Sequence, residues 1–185
     1  MFLTCRNLFV AALAASIFSG PGMAQTALRG PIILTVSGNI SKPSRGAVDP
    51  AFDKFFAYNE VEFEKAAQFD FAALQGIGMV SVNADFPMGG RVHAYEGPLL
   101  ADVLAAAGAE GGTVTIRALD GYAVELDYAE AVANGAVLAL RHDGMPFALG
   151  DYGPTHLVFP RADRADLAEM NDDNWVWSIY QIHVE

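Results

Sequence analysis

The stretch Leu138 to Pro160 limits the folds open to this chain more than any other, because it sets two buried-looking runs around a turn and a Gly-Pro corner. The apolar run that ends in Arg141-His142 meets Asp143-Gly144, a pair suited to a tight hairpin because glycine takes positive φ without penalty. A strand is expected to turn back there. Gly150-Asp151-Tyr152-Gly153-Pro154 is too rich in Gly and Pro for regular structure. It delivers the chain into His156-Leu-Val-Phe159, a short buried-strand pattern closed by Pro160. Polar and aromatic loops held between core strands either turn a corner or bind something, and loops on a rigid scaffold carry much of binding.

The first residues hold one basic side chain, Arg6, then an apolar run from Leu8 to Phe18, then small residues before Ala24. This is the pattern of a secretory signal peptide, residues 1–24, and it predicts an exported, periplasmic domain over residues 25–185. The run is shorter than the roughly 20 apolar residues of a membrane span, so no membrane insertion is expected. Cys5 is the only cysteine and lies inside that leader. A mature chain without a thiol excludes disulfides, a cysteine nucleophile and thiolate metal ligands. The formal net charge of −11 argues against nucleic acid and anionic membranes as partners.

In chain order, Ile32 to Gly38 is β-branched and reads as a first strand. Phe52, Phe55 and Phe56 give Ala51 to Asn59 a helical face, and Val61 to Lys65 alternates like a half-buried strand. Asp70 is placed to cap a short helix through Gln75. Met79 to Asn83 is a strand running into the loop Ala84 to Arg91, and Val92 to Tyr95 is extended again. Gly97-Pro98 followed by Leu99, Leu100, Val103, Leu104 and Ala107, with Gly108 behind, predicts the clearest helix. Thr113 to Arg117 and Tyr122 to Leu126 form a hairpin on Asp120-Gly121. Asp127 to Ala133 and Asp163 to Met170 read as helices, Ala136 to Arg141 as a strand. Trp175 to Val184 reads as one alternating strand with Trp175 and Trp177 on the same side. The class is α+β, in one domain.

There is no Walker loop, no His-Glu-x-x-His and no Gly-x-Ser-x-Gly. His93, His142, His156 and His183 fall on different elements, and no metal site is expected of them. Several loops pair polar with aromatic groups: Asn83-Ala-Asp85-Phe86, Arg91-Val-His93-Ala-Tyr95, Asp151-Tyr152 and Asn174-Trp175. Such loops suit a flat, polar-edged ring, stacked on an aromatic face with an acceptor along its edge.

The order of Gly97 to Leu104 with Ala107-Gly108, Ala118 to Tyr122, Leu138 to Gly144 with Pro146, Gly153-Pro154 through Pro160, and Trp177 with Ile182-His183-Val184 resembles the molybdopterin-binding domain of the sulfite oxidase family. The resemblance runs from Leu34 to Val184. It implies a mixed α+β fold of that oxidoreductase type. In the enzymes a cysteine in the loop after the second conserved strand binds molybdenum, and the loop around Asn83-Ala84-Asp85 has none. The family's dimerising domain has no counterpart before the last residue either.

The chain therefore looks like the short, cysteine-free periplasmic branch of this fold. That likeness implies a pterin-binding regulator acting on the periplasmic segment of an inner-membrane signalling protein, a cyclic di-GMP enzyme or a sensor kinase. It implies a reduced pterin as ligand, no molybdenum and no catalysis. The ligand-binding residues expected are Asn83, Asp85, Arg91, His93, Tyr152 and Trp175. The alternatives are a molybdopterin-dependent oxidoreductase subunit and a degenerate scaffold.

Overall fold

A run of β-branched and apolar residues near the start of the domain becomes its central strand. In the computed structural model, which describes residues 28–185 apart from Glu110, this is β1 (Ile32–Gly38). The expected leader, with Cys5, lies outside the described residues. After β1 come β2 (Arg45–Gly46), α1 (Lys54–Tyr58), β3 (Lys65–Asp70), α2 (Phe71–Ile77), β4 (Val80–Ala84) and β5 (His93–Gly97). Next are α3 (Leu100–Ala107), β6 (Thr113–Ala118), β7 (Ala123–Asp127), α4 (Tyr128–Ala133), β8 (Val137–Ala139), β9 (Arg141–His142) and β10 (Met145–Pro146). β11 (His156–Val158), a 3-10 turn at Ala165–Leu167 and β12 (Ile179–Val184) complete the order.

Among the described residues the strands form a six-stranded sheet, β2-β3-β1-β12-β6-β7, a four-stranded sheet, β10-β9-β5-β4, and the pair β11-β8. β1 and β12 run parallel at the centre of the large sheet, from Thr35↔Gln181 to Gly38↔Val184. Gly38 closes that pairing at φ +89°, and a Cβ there would sit 2.0 Å from the Val184 carbonyl oxygen. Glycine is needed. Gly97 does the same for the smaller sheets, since its Cβ would meet the Leu138 carbonyl oxygen at 2.0 Å.

The helices follow their capping and burial patterns. Asp70 accepts hydrogen bonds from the Ala73 and Gly30 amides at 2.7 Å, so one carboxylate caps α2 and ties down the chain ahead of β1. α3 buries Leu100, Val103, Leu104 and Ala107, one face at helical spacing, and ends on Gly108 in the left-handed conformation. These side chains join Leu34, Val36, Ile116, Leu138, Leu157 and Ile182 in the main core. No helix among the described residues is long and apolar enough to cross a membrane.

Four expectations are corrected. The strand expected at Val61 begins only at Lys65, because Glu60 takes φ +55° and Val61 and Phe63 instead fill a small separate cluster with Ala66. Ala136 to Arg141 is not one strand: β8 pairs with β11, while β9 crosses to β5, with the Leu140 amide bonded to the Glu96 carbonyl between them. Asp163 to Met170 forms only the 3-10 turn. Finally, Ser178 at φ +53° breaks the last strand, its amide bonded to the Tyr152 carbonyl, so regular pairing starts at Ile179. Both tryptophans therefore lie in irregular chain ahead of the strand, and they do not share a face: Trp175 is 2 % exposed and Trp177 37 %.

Candidate functional site

The loop after β4 is held by a buried arginine. Arg161 follows β11, and its side chain is 2 % exposed. Its Nε donates to Asp85 Oδ1 at 2.6 Å and its Nη2 to the Asp85 carbonyl at 2.7 Å. Its Nη1 reaches Asp172 Oδ1 at 2.7 Å and the Met170 carbonyl at 2.6 Å. The loop completes the frame from its own side, with the Gly89 amide on Asp85 and the Met88 amide on Asp172. Four of the five donors of a guanidinium lie in fixed directions here, the geometry that makes arginine a clamp.

Aromatic rings pack against this clamp. The Arg161 guanidinium lies 4.4 Å from the Trp175 ring centre, and Phe86 stacks on Trp175 at 5.6 Å and 8°. Phe86 meets His156 edge-on at 4.7 Å and Tyr152 at 5.4 Å. Tyr95 continues the cluster, 5.8 Å from His156 and 5.4 Å from His142. Beyond it His142 lies 4.3 Å from His93, whose Nδ1 is 2.8 Å from Asp143 Oδ2.

Four buried polar atoms in this cluster lack a hydrogen-bond partner: the Tyr95 hydroxyl, both ring nitrogens of His156 and the Trp175 indole N–H. Burial pushes the His156 imidazole down to about 3, which a loose approach to the Trp175 backbone offsets only in part. Burial pushes the Tyr95 phenol up to about 12, helped by nearby Tyr152, Asp143 and Asp85. Burial alone would raise the Asp85 carboxyl. The Arg161 hydrogen bond and charge and the Gly89 amide outweigh it and hold the group below the usual carboxylate range. All three groups are moved away from neutrality, whereas a general acid or base works best with a pKa near the operating pH.

The six residues expected to bind ligand fall into two neighbouring groups. Asn83, Asp85, Tyr152 and Trp175 lie around the clamp, but three of them are engaged. Asn83 faces Asp163 through its amide nitrogen and side chain, at 2.6 and 3.0 Å. Asp85 is held by Arg161, and Trp175 is buried between Phe86 and the guanidinium. Tyr152 is half-buried against His156. Arg91 and His93 belong to the Asp143 group, Arg91 reaching out at 3.9 Å with 79 % of its side chain exposed. Arg161, Asp172, Tyr95 and His156 were not among the expected site residues. Local sequence holds no signal for the first two, because the contacts span 76 positions in one case and a turn in the other.

The residues present do not fit molybdenum, the metal bound by the enzymes that the sequence resembles. The only thiol in the sequence is Cys5, outside the described residues, and the one carboxylate in the relevant loop is taken up by Arg161 and Gly89. Among the described residues, one other set of ligand-type side chains gathers: His93, His142 and Asp143, with ligand atoms all within 4.8 Å of one another.

No family model and no curated protein sequence matches the chain. A solved structure does match: the sulfane dehydrogenase SoxCD from Paracoccus pantotrophus, with a TM-score of 0.55 and 14 % sequence identity over 82 % of this chain. The match covers 37 % of the SoxCD chain, so this chain spans well under half its length. The reading as a regulator of a membrane signalling protein is corrected by this finding: the structure that shares the fold is that of an oxidoreductase, not of a signalling protein. The chain has a mixed α+β single-domain fold structurally related to the sulfite-oxidase-type molybdopterin-binding fold family.

Proposed function

We propose that this chain is a degenerate, non-redox domain on the molybdopterin-binding fold, a scaffold that holds a reduced pterin without metal. The Arg161 clamp carries this reading. A loop without a thiol, whose one carboxylate is bound to a buried guanidinium and whose amides are bound to Asp85 and Asp172, offers no free anionic donor for molybdenum. The displaced titration of Asp85, His156 and Tyr95 supports the absence of acid–base chemistry in the same cluster. The leader pattern over residues 1–24 supports an exported location.

The pterin assignment rests on the four unpaired polar atoms. A pterin edge alternates hydrogen-bond donors and acceptors, and the unpaired Tyr95 hydroxyl and His156 ring, both fully buried, would be complementary partners for it once the half-buried Tyr152 ring beside His156 moves aside. Tyr95→Phe tests this in both directions. Removing an unpaired buried hydroxyl should leave the empty protein as stable or more stable, by up to about 1 kcal/mol. The same change should weaken binding of a tetrahydropterin about tenfold, the loss of one hydrogen bond. Fluorescence titration and thermal melting of both proteins decide it. Absence of saturable binding to the unchanged protein, or equal affinity in the variant, would sink the pterin assignment.

A further inference from the structure

We propose that His93, His142 and Asp143 form a binding site for a divalent transition-metal ion of the zinc class. The site is independent of the pterin reading and lies on different side chains. Two imidazoles and one carboxylate make a nitrogen-and-oxygen donor set that suits zinc, copper, nickel or iron and is poorly matched to magnesium or calcium.

Backbone geometry assembles the set. His93 opens β5, and His142 sits on β9, in register with Tyr95 of β5. Asp143 follows at φ +46° in the turn to β10, with Gly144 at φ +78°. The Asp143 amide donates to the Ala94 carbonyl at 2.8 Å, and the Ala94 amide donates to Asp143 Oδ1 at 3.0 Å. Oδ1 is thus fixed by the strand, and Oδ2 is turned towards His93 at 2.8 Å. Ligands carried on paired strands are held more firmly than ligands on free loops.

The donors are also available. His142 makes no side-chain hydrogen bond among the described residues, and its ring lies 4.3 Å from that of His93. Arg91 is a weak competitor for Asp143 at 3.9 Å, with most of its side chain in solvent. Donors on one tetrahedral zinc sit roughly 3.4 Å apart, so rotation of half-exposed side chains closes a set already within 4.8 Å. Three protein ligands leave a fourth position for water or an exchangeable oxygen or nitrogen ligand, the arrangement of open rather than purely structural zinc sites.

Calorimetric titration of chelator-treated protein with Zn²⁺ tests the site. One ion per chain is expected. His93→Gln and His142→Gln should each lower the affinity by at least about tenfold, the lower end of what even outer partners of a metal contribute. His183→Gln, whose imidazole lies against Ser37 instead, should leave it unchanged. Circular dichroism checks that each variant folds, and the visible spectrum of the Co²⁺-loaded unmodified protein gives a reading that needs no variant. No stoichiometric Zn²⁺, no Co²⁺ ligand-field bands, or equal loss in His183→Gln would overturn the proposal.

Discussion

Arg161→Ala is expected to cost about 3–5 kcal/mol of folding stability, because it removes the cation and leaves its partners behind. Asp85 and Asp172 would then face one another's charge in a frame whose loop amides still hold them in place. Their side chains are 22 % and 28 % exposed, so water can reach them, and the lower end of the range applies. The acid dependence follows from the direction of the Asp85 shift. Its folded pKa lies below the unfolded one, so pairing adds stability above the unfolded value and loses it as pH falls through the folded value. The gap between the unmodified protein and Arg161→Ala should therefore narrow in acid. Urea unfolding at neutral and acidic pH measures both effects; a neutral-pH difference under about 1 kcal/mol would mean that the clamp is incidental.

Trp175→Ala should be comparably damaging, at about 3–5 kcal/mol, the range for emptying a buried large aromatic site. Trp175 is 2 % exposed and packs on Phe86, on Phe159 at 5.7 Å and under the Arg161 guanidinium. Three neighbours lose their contact surface together. Trp177→Ala is the matched control: at 37 % exposure and 6.3 Å from Tyr152, its loss should cost about 1 kcal/mol or less. Denaturant midpoints of the two variants separate the faces. Similar losses in both would mean that Trp177 packs as firmly as Trp175, against their different burial.

How much could be read beforehand depended on whether the cause was local. The hairpins at Asp120-Gly121 and Asp143-Gly144, the Asp70 cap and the buried face of α3 each follow from a few adjacent residues, and each is present. The alternation from Trp175 to Val184 is real in sequence, yet the strand forms only from Ile179, because the Ser178 amide bonds to the carbonyl of Tyr152, far away in the chain. The site shows the same division. Asn83, Asp85, Tyr152 and Trp175 do converge on one region, since polar-aromatic loops flank the same small sheets. Their occupation by Asp163, Arg161 and Phe86 depends on tertiary pairing that no spacing announces. The His93, His142 and Asp143 group is hidden in the sequence for the same reason: only the β5–β9 register makes them neighbours.

Molybdenum content separates a degenerate domain from a molybdenum enzyme. The full 185-residue chain would be produced in a host that makes molybdenum cofactor, purified without chelators and measured by elemental analysis against protein concentration. With Asp85 clamped by Arg161 and no thiol beyond Cys5, molybdenum should lie far below one atom per chain. One molybdenum per chain, retained through purification, would contradict it and return the chain to the molybdopterin-dependent oxidoreductases.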